Sequence, residues 1–69
     1  MKIPKTYGFQ QNKVKQWRWF AKNSKGEMIK NAFCFGDWRR FKRKAKRDLI
    51  LILKAKRYHD AQNKIIKEY

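Results

Sequence analysis

The positive charge of this chain limits what it can fold into more than any other feature of its sequence. Twenty lysine and arginine residues stand against five aspartate and glutamate residues, so 69 residues carry a formal net charge of +15 at pH 7. Because like charges repel in the compact state, charge of this density is best accommodated when a polyanion neutralises it. The sequence therefore predicts binding to DNA, RNA, an anionic membrane or a very acidic protein.

The length of the chain allows one small domain. Such a domain buries roughly 60% of the surface that its unfolded chain exposes, so its core must rely on large side chains, here five Phe, three Trp and three Tyr. Cys34 is the only cysteine and His59 the only histidine, which excludes an intramolecular disulfide and a structural zinc site with four Cys or His ligands. We expect Cys34 to be a small buried apolar side chain.

Several function classes find no support in the sequence. Five scattered carboxylates and one histidine form no catalytic constellation, and no glycine-rich phosphate loop is present, so we predict that the protein is not an enzyme and needs no cofactor or metal. No apolar run approaches the ~20 residues of a membrane span, and the first nine residues lack the apolar region of a signal peptide. We expect a cytoplasmic protein, associated with the nucleoid, or located in the host cytoplasm if it comes from a phage.

Two aromatic-rich segments flank a glycine turn. Residues 17–23 ("WRWFAKN") and 27–35 ("EMIKNAFCF") predict two antiparallel strands around "SKG", because Gly26 can adopt the left-handed conformation that closes a three-residue loop. A third strand is predicted over residues 6–10, followed by a turn at 11–13. Residues 1–5 form a short arm.

Pairing of Asn23 with Glu27 would fix the register of this hairpin. Alternation then divides its side chains between two faces. The face predicted to be core consists of Trp17, Trp19, Ala21, Ile29, Phe33 and Phe35. The opposite face, predicted to look outward, consists of Arg18, Phe20, Lys22, Met28, Lys30, Ala32 and Cys34.

Residues 38–69 contain neither Gly nor Pro and favour helix, with Asp37 as the predicted N-cap. One apolar stripe would pack on the sheet: Trp38, Phe41, Ala45, Leu49, Ile52 and Leu53. The predicted fold is α+β, a small antiparallel sheet packed on one long C-terminal helix over residues 37–68. A strand over residues 49–53 is the alternative, since Ile50 and Ile52 are β-branched, but no turn signal isolates it.

A second apolar stripe runs along nearly the opposite side of the predicted helix at heptad spacing. It consists of Leu51, Ala55, Tyr58, Gln62, Ile65 and Tyr69. One straight helix cannot press both stripes onto one small sheet. Either the helix breaks near residues 54–57 and its tail folds back, or it continues and pairs with a second copy. Because no Gly or Pro marks a break, we favour the continuous helix and a homodimer.

The segment "RRFKRKAKR", residues 39–47, has seven cations in nine positions and no acid until Asp48. A solvated helix face usually mixes both signs, so this segment favours polyanion binding over a merely solvated surface. A two-stranded ribbon also fits the major groove of duplex DNA, where an arginine such as Arg18 prefers guanine. The residues predicted to contact nucleic acid are Lys13, Arg18, Lys22, Lys30, Arg39, Arg40, Arg43, Lys44 and Arg47.

The pattern "YGF…NKVKQWRWFAKNSKGEMIK" resembles the three-stranded DNA-binding module of plant ethylene-response factors over residues 6–56. It is also similar to the arm-site-binding domain of tyrosine recombinases. The resemblance implies a sheet laid in the major groove with the helix on its far side, and base contacts from Arg18, Lys22 and Lys30, with Gln10 and Lys13 beside them. The chain departs from the family pattern at "NAFCFGDW", residues 31–38, and in the strong basicity of its helix.

Together these features favour a small basic protein that binds duplex DNA, such as a regulator of a phage or mobile element. Two alternatives remain open. The aromatic residues could anchor the binding of an acidic host protein, or Phe20 could stack on a base in an RNA- or ribosome-binding protein. A helix lying on a membrane surface is disfavoured, because the cations do not segregate from the apolar residues.

Overall fold

Two antiparallel strands and two helices make up the fold. A computed structural model describes residues 2–69, with strands β1 (Tyr7–Gln11) and β2 (Trp17–Ala21) followed by helices α1 (Lys42–Lys54) and α2 (Lys56–Glu68). The predicted α+β class, a sheet packed on helix, is confirmed. The prediction of one long helix is wrong, because the helical part consists of two. Met1, the first residue of the predicted arm, lies outside the described residues, whereas Ile3 of that arm packs against the core.

Strands β1 and β2 pair in a register that places aromatic side chains opposite each other. Phe9 faces Trp19 and Tyr7 faces Ala21. The turn between the strands is built around Asn12, whose side-chain oxygen accepts hydrogen bonds from the backbone N–H groups of Val14 and Gln16, at 3.0 and 2.9 Å. The first strand and its turn therefore begin one residue later than predicted.

The predicted glycine turn after β2 is confirmed. Gly26 has a φ of 81°, the left-handed conformation that a side chain disfavours. The N–H of Asn23 donates to the carbonyl of Glu27 at 2.9 Å, and Lys22 pairs with Met28. The predicted register thus holds next to the turn, where Ile29 also donates to the carbonyl of Ala21.

The predicted strand over residues 27–35 is interrupted after Ile29. Met28 pairs with Lys22, but Phe35 pairs with Phe20. The chain therefore advances seven residues, from 28 to 35, while its partner strand advances only two, from 22 to 20. The five extra residues, 30–34, form a loop closed by a 2.7 Å hydrogen bond from Cys34 N–H to the carbonyl of Asn31. The chain then returns to the edge of β2. The strand prediction is wrong here because residues 30–34 contain no glycine or proline that would mark a loop in the sequence.

An odd number of inserted residues reverses the faces of the side chains that follow, up to the next insertion, because the period of a strand is two. Trp19, Ala21 and Ile29 are buried as predicted. Cys34, placed on the outer face by the predicted register, is buried, and Phe33, predicted to be core, is 43% exposed. Phe35, also predicted to be core, lies instead beside Arg18 on the outward face of the sheet.

Helix α1 starts later than predicted, and Asp37 does not cap it. Its N-cap is Phe41, which provides no side-chain hydrogen bond. The preceding residues run along the edge of β2, where the backbone N–H and C=O groups of Arg39 both bond to Trp17 at 2.6 Å. The buried residues of the helix are Ala45, Leu49 and Leu53, as the first apolar stripe predicted. The strand alternative for residues 49–53 is wrong, since α1 covers them.

The helical part of the chain breaks at Ala55, whose φ of −78° and ψ of 103° are extended rather than helical. Helix α2 folds back against the core, with Gln62 fully buried and Ile65 and Ile66 packed against the core cluster. The continuous helix favoured from the sequence is therefore wrong, and the fold-back alternative is correct. No proline or glycine marks this break. Helix α2 packs mainly against α1, and Gln62 reaches Tyr7 of β1 through a hydrogen bond.

The core joins β1, β2 and α2 through two aromatic rings. The rings of Tyr7 and Trp19 meet edge to face at 6.2 Å, and the Tyr7 hydroxyl donates to Oε1 of Gln62 at 2.8 Å. Gly36 lies so close to the indole of Trp19 that a Cβ atom there would overlap the ring. Of the helices in residues 2–69, none is long and apolar enough to cross a membrane.

Candidate functional site

The side of α1 that faces away from the sheet carries a group of exposed cations. Because Ala45, Leu49 and Leu53 face the core, the helical period of about 100° per residue directs Arg43, Lys44 and Arg47 outward. All three are exposed, as is Arg40 just before the helix. We call Arg40, Arg43, Lys44 and Arg47 the α1 cation cluster. These predicted contact residues are therefore on the surface and next to one another.

The exposed ring of Phe41 lies next to three cations of this cluster. The charged groups of Arg40, Arg43 and Lys44 lie 5.5, 5.3 and 5.8 Å from the centroid of the Phe41 ring. Cations are attracted to the face of an aromatic ring by about 0.5–1 kcal/mol at exposed sites. Phe41 was predicted to pack on the sheet. Instead it gathers cations that would otherwise repel one another.

Arg39 differs from the other predicted cations because it has a carboxylate partner. Its Nε atom lies 2.6 Å from Asp48, and the nearest approach to Asp37 is 3.9 Å. The hydrogen bond to Asp48 raises the pKa of Arg39, with a further contribution from the charge of Asp48. Asp48 is the only acidic residue of α1, so this ion pair leaves α1 without a free carboxylate. Arg39 is correspondingly less available to a phosphate.

Helix α2 provides a contrast, because its exposed side mixes both signs. Its exposed charged residues are Lys56, Arg57, Asp60, Lys64, Lys67 and Glu68. Mixed charges of this kind are typical of a solvated surface. Lys42 is also separate from the α1 cation cluster, since its amino group lies over the rings of Phe9 and Trp17 at 5.7 and 5.3 Å.

Arg18, predicted to contact bases in a DNA groove, is held against the sheet. Its Nε donates to Oε1 of Gln10 at 2.5 Å. Its guanidinium carbon lies 4.7 Å from the ring centroid of Phe35 and 4.5 Å from that of Trp38. An arginine fixed in this way does not extend as a free bidentate donor to guanine. Phe35 and Trp38 were not among the predicted site residues. The five-residue loop brings Phe35 to this face, and one further inserted residue between the Phe20–Phe35 and Trp17–Arg39 pairs brings Trp38 there as well.

The remaining predicted contact residues of the sheet are dispersed. Lys22 lies just after β2 and is half-buried, Lys30 is exposed in the loop of residues 30–34, and Lys13 is exposed in the turn between β1 and β2. Lys13 and Lys22 are therefore at opposite ends of the hairpin. They form no cluster comparable with that on α1.

The predicted self-association residues do not form one continuous seam. Leu51, Tyr58 and Tyr69 are exposed at 56%, 47% and 63%, whereas Ile65 packs against the core and Ala55 is the residue at which the helix breaks. The heptad stripe on which the homodimer prediction depended is thus divided between two helices. Tyr58 instead lies beside Phe33, with ring centroids 5.7 Å apart.

Reactive groups are sparse in the described part of the chain. Within residues 2–69, no group of three His, Cys, Asp or Glu side chains is placed to hold a metal ion. Cys34 is buried, and burial raises the pKa of its thiol. Since the thiolate is the reactive form, Cys34 is an inert core residue at neutral pH.

Comparison of the chain with models of known protein families, with curated proteins and with solved structures gave no match. The resemblance to the DNA-binding module of ethylene-response factors therefore rests on its sequence pattern alone.

Proposed function

We propose that this protein binds nucleic acid, and duplex DNA in particular, through the α1 cation cluster. The observation that carries the proposal is that Asp48, the only acidic residue of α1, is paired with Arg39, so that α1 presents no free carboxylate beside Arg43, Lys44 and Arg47. A surface that carries charge of one sign, here positive, attracts a polyanion.

The spacing of the cluster suits a phosphate backbone. Arg43 and Arg47 are four residues apart on α1, which corresponds to about 6 Å along the helix axis. Duplex DNA carries one negative charge per ~1.7 Å of its axis. Three long, flexible side chains on one side of α1 therefore face several phosphates at once and need no recess to do so.

Binding of this kind carries little sequence information, because phosphate contacts position a protein without distinguishing bases. Base contacts were expected from Arg18, but its hydrogen bond to Gln10 and its two aromatic neighbours hold it on the sheet. We therefore propose charge-driven binding with at most a weak sequence preference. In this proposal the α1 cation cluster contacts the DNA backbone, in place of the sheet contacts in the major groove that the sequence led us to expect.

The test compares two variants that lose the same charge from different helices. Arg43→Gln/Lys44→Gln/Arg47→Gln and Lys56→Gln/Arg57→Gln/Lys64→Gln each remove three positive charges from exposed positions. Affinity for a short duplex is measured by fluorescence anisotropy near 100 mM salt, with an acidic protein as competitor. The α1 variant should lose at least roughly tenfold in affinity, since each lost phosphate contact removes one step of counterion release. The α2 variant should lose much less.

Equal losses in the two variants would show that only net charge matters and would remove the α1 cation cluster from the proposal. Failure to bind duplex DNA at low salt, together with tight binding to the acidic protein, would overturn the nucleic-acid function.

A further inference from the structure

Arg18 is a half-buried cation without a counter-ion. Its described partners are an amide oxygen of Gln10, the Sδ atom of Met28 at 3.9 Å, and two aromatic rings. In residues 2–69, the ion pairs found all belong to Arg39, and none to Arg18. A charge that is partly removed from water and has no paired carboxylate favours an external anion.

Aromatic rings surround this unpaired charge on the outward face of the sheet. We define the outer sheet face as Arg18, Phe20, Lys22, Met28, Phe35 and Trp38, all of which are half-buried. Phe20 lies directly over Gly8, where a Cβ atom would come within 3.0 Å of its Cζ atom. Without a side chain at residue 8, the ring can lie close to the backbone. No carboxylate belongs to the outer sheet face.

The combination of flat rings with an unpaired guanidinium matches the chemistry of an unpaired nucleotide. Proteins that bind single strands stack bases on aromatic side chains and contact the adjacent phosphates with cations. A duplex does not offer this chemistry, because its bases are stacked inside the helix. An acidic peptide would satisfy Arg18 but would make poorer use of the rings.

We infer that the outer sheet face binds a single-stranded segment of nucleic acid, with one base stacked on Trp38 and a neighbouring phosphate bound by Arg18. The inference rests on the proposed nucleic-acid function and adds a second surface to it. The α1 cation cluster lies on the other side of the sheet, because α1 packs against the inward face through Leu49 and Leu53. The protein therefore has one surface for phosphates alone and one for unpaired bases.

The experiment separates bases from phosphates. Affinities are measured for oligo-dT, for oligo-U, for a fully abasic oligonucleotide of the same length, and for a duplex. For the wild-type protein, the bases should improve binding roughly 5- to 150-fold over the abasic strand, the range expected for stacking of one base. The dT and U arms distinguish DNA from RNA as the source of the strand.

The variant Trp38→Ala should lose most of this advantage, while its affinity for the duplex and for the abasic strand stays within about twofold. Phe33→Ala is the matched control, since Phe33 is an exposed aromatic residue outside the outer sheet face. Trp38→Tyr keeps an aromatic ring and should retain most of the preference. Far-UV circular dichroism and thermal unfolding of each variant identify any loss that comes from misfolding.

Four results would overturn the inference, and the first two concern the base preference. One is equal binding of the wild-type protein to dT, U and abasic strands. The other is a Trp38→Ala variant that is folded, as judged by circular dichroism, and keeps the full base preference. Tighter binding of an acidic peptide than of any strand, lost in Trp38→Ala, would assign the face to a protein partner instead. If duplex binding through α1 persists in these cases, the proposed function stands, whereas failure of every nucleic acid to bind would remove both.

Discussion

The fold-back of α2 can be tested through one buried hydrogen bond. The Tyr7 hydroxyl donates to Oε1 of Gln62 at 2.8 Å, across 55 residues of sequence, and Gln62 is 0% exposed. Leaving one partner of a buried hydrogen bond unsatisfied costs about 1–3 kcal/mol, whereas replacing both partners by apolar groups is nearly neutral. Tyr7→Phe, Gln62→Leu and the double variant therefore form a double-mutant cycle that measures the interaction between the two side chains.

The structure also indicates which single change is the more severe. Nε2 of Gln62 is buried and finds no hydrogen-bond partner among the described residues. Tyr7→Phe leaves both ends of this amide unsatisfied and should lower the free energy of unfolding by about 2 kcal/mol. Gln62→Leu removes the amide and leaves only the hydroxyl unpaired, so it should cost about 1 kcal/mol. The double variant should lose about 1–2 kcal/mol less than the sum of the two.

Urea unfolding followed by circular dichroism measures these differences. The matched control is Tyr7→Phe combined with Gln11→Leu, because Gln11 is exposed on the same strand. That pair should be additive within about 0.5 kcal/mol. Additive losses for Tyr7→Phe and Gln62→Leu would mean that α2 does not pack on β1, and the fold-back described here would be refuted.

Three further predictions concern the core and the surface. Gly36→Ala should lower the free energy of unfolding by about 1–3 kcal/mol, because its methyl group would overlap the Trp19 indole. Burial raises the pKa of Cys34, and burial followed by the charge of Cys34 raises that of Tyr7. Both groups ionise more readily in the unfolded chain. The free energy of unfolding is therefore unaffected by them below the ordinary thiol pKa of about 8.5, and it falls as the pH rises through their pKa values in the folded protein. Urea unfolding between pH 7 and 10.5 should show this loss, and Cys34→Ala should reduce it. Sedimentation equilibrium should find a monomer at tens of micromolar without nucleic acid, and a dimer abolished by Leu51→Asp would contradict the divided seam.

The sequence predicted correctly those parts of the fold that depend on residues close together in the chain. The turn at Gly26 follows from one residue's tolerance of a positive φ, and the pairing of Lys22 with Met28 follows from the turn. Ala45 and Leu49 face the core because their spacing repeats the helical period. The basic segment that became the α1 cation cluster was also evident from its lack of acids.

Tertiary packing decided the parts that the sequence did not predict. The loop of residues 30–34 contains no glycine or proline. Its odd length moves Phe35 to the outer sheet face and Cys34 to the core. The break at Ala55 carries no local signal. The fold-back buries Gln62 and packs Ile65 and Ile66 against the core, whereas Leu51, Tyr58 and Tyr69 of the second apolar stripe stay exposed.

The salt dependence of duplex binding tests the central claim, that the α1 cation cluster binds phosphates. If the four cations of the α1 cation cluster neutralise about four phosphates, the logarithm of the association constant should fall against the logarithm of salt concentration with a slope of about −3.6. Arg43→Gln/Lys44→Gln/Arg47→Gln should reduce that slope by about 3, because each lost contact removes roughly 0.9 from it. A slope near zero for the wild-type protein, or an unchanged slope in this variant, would contradict the account.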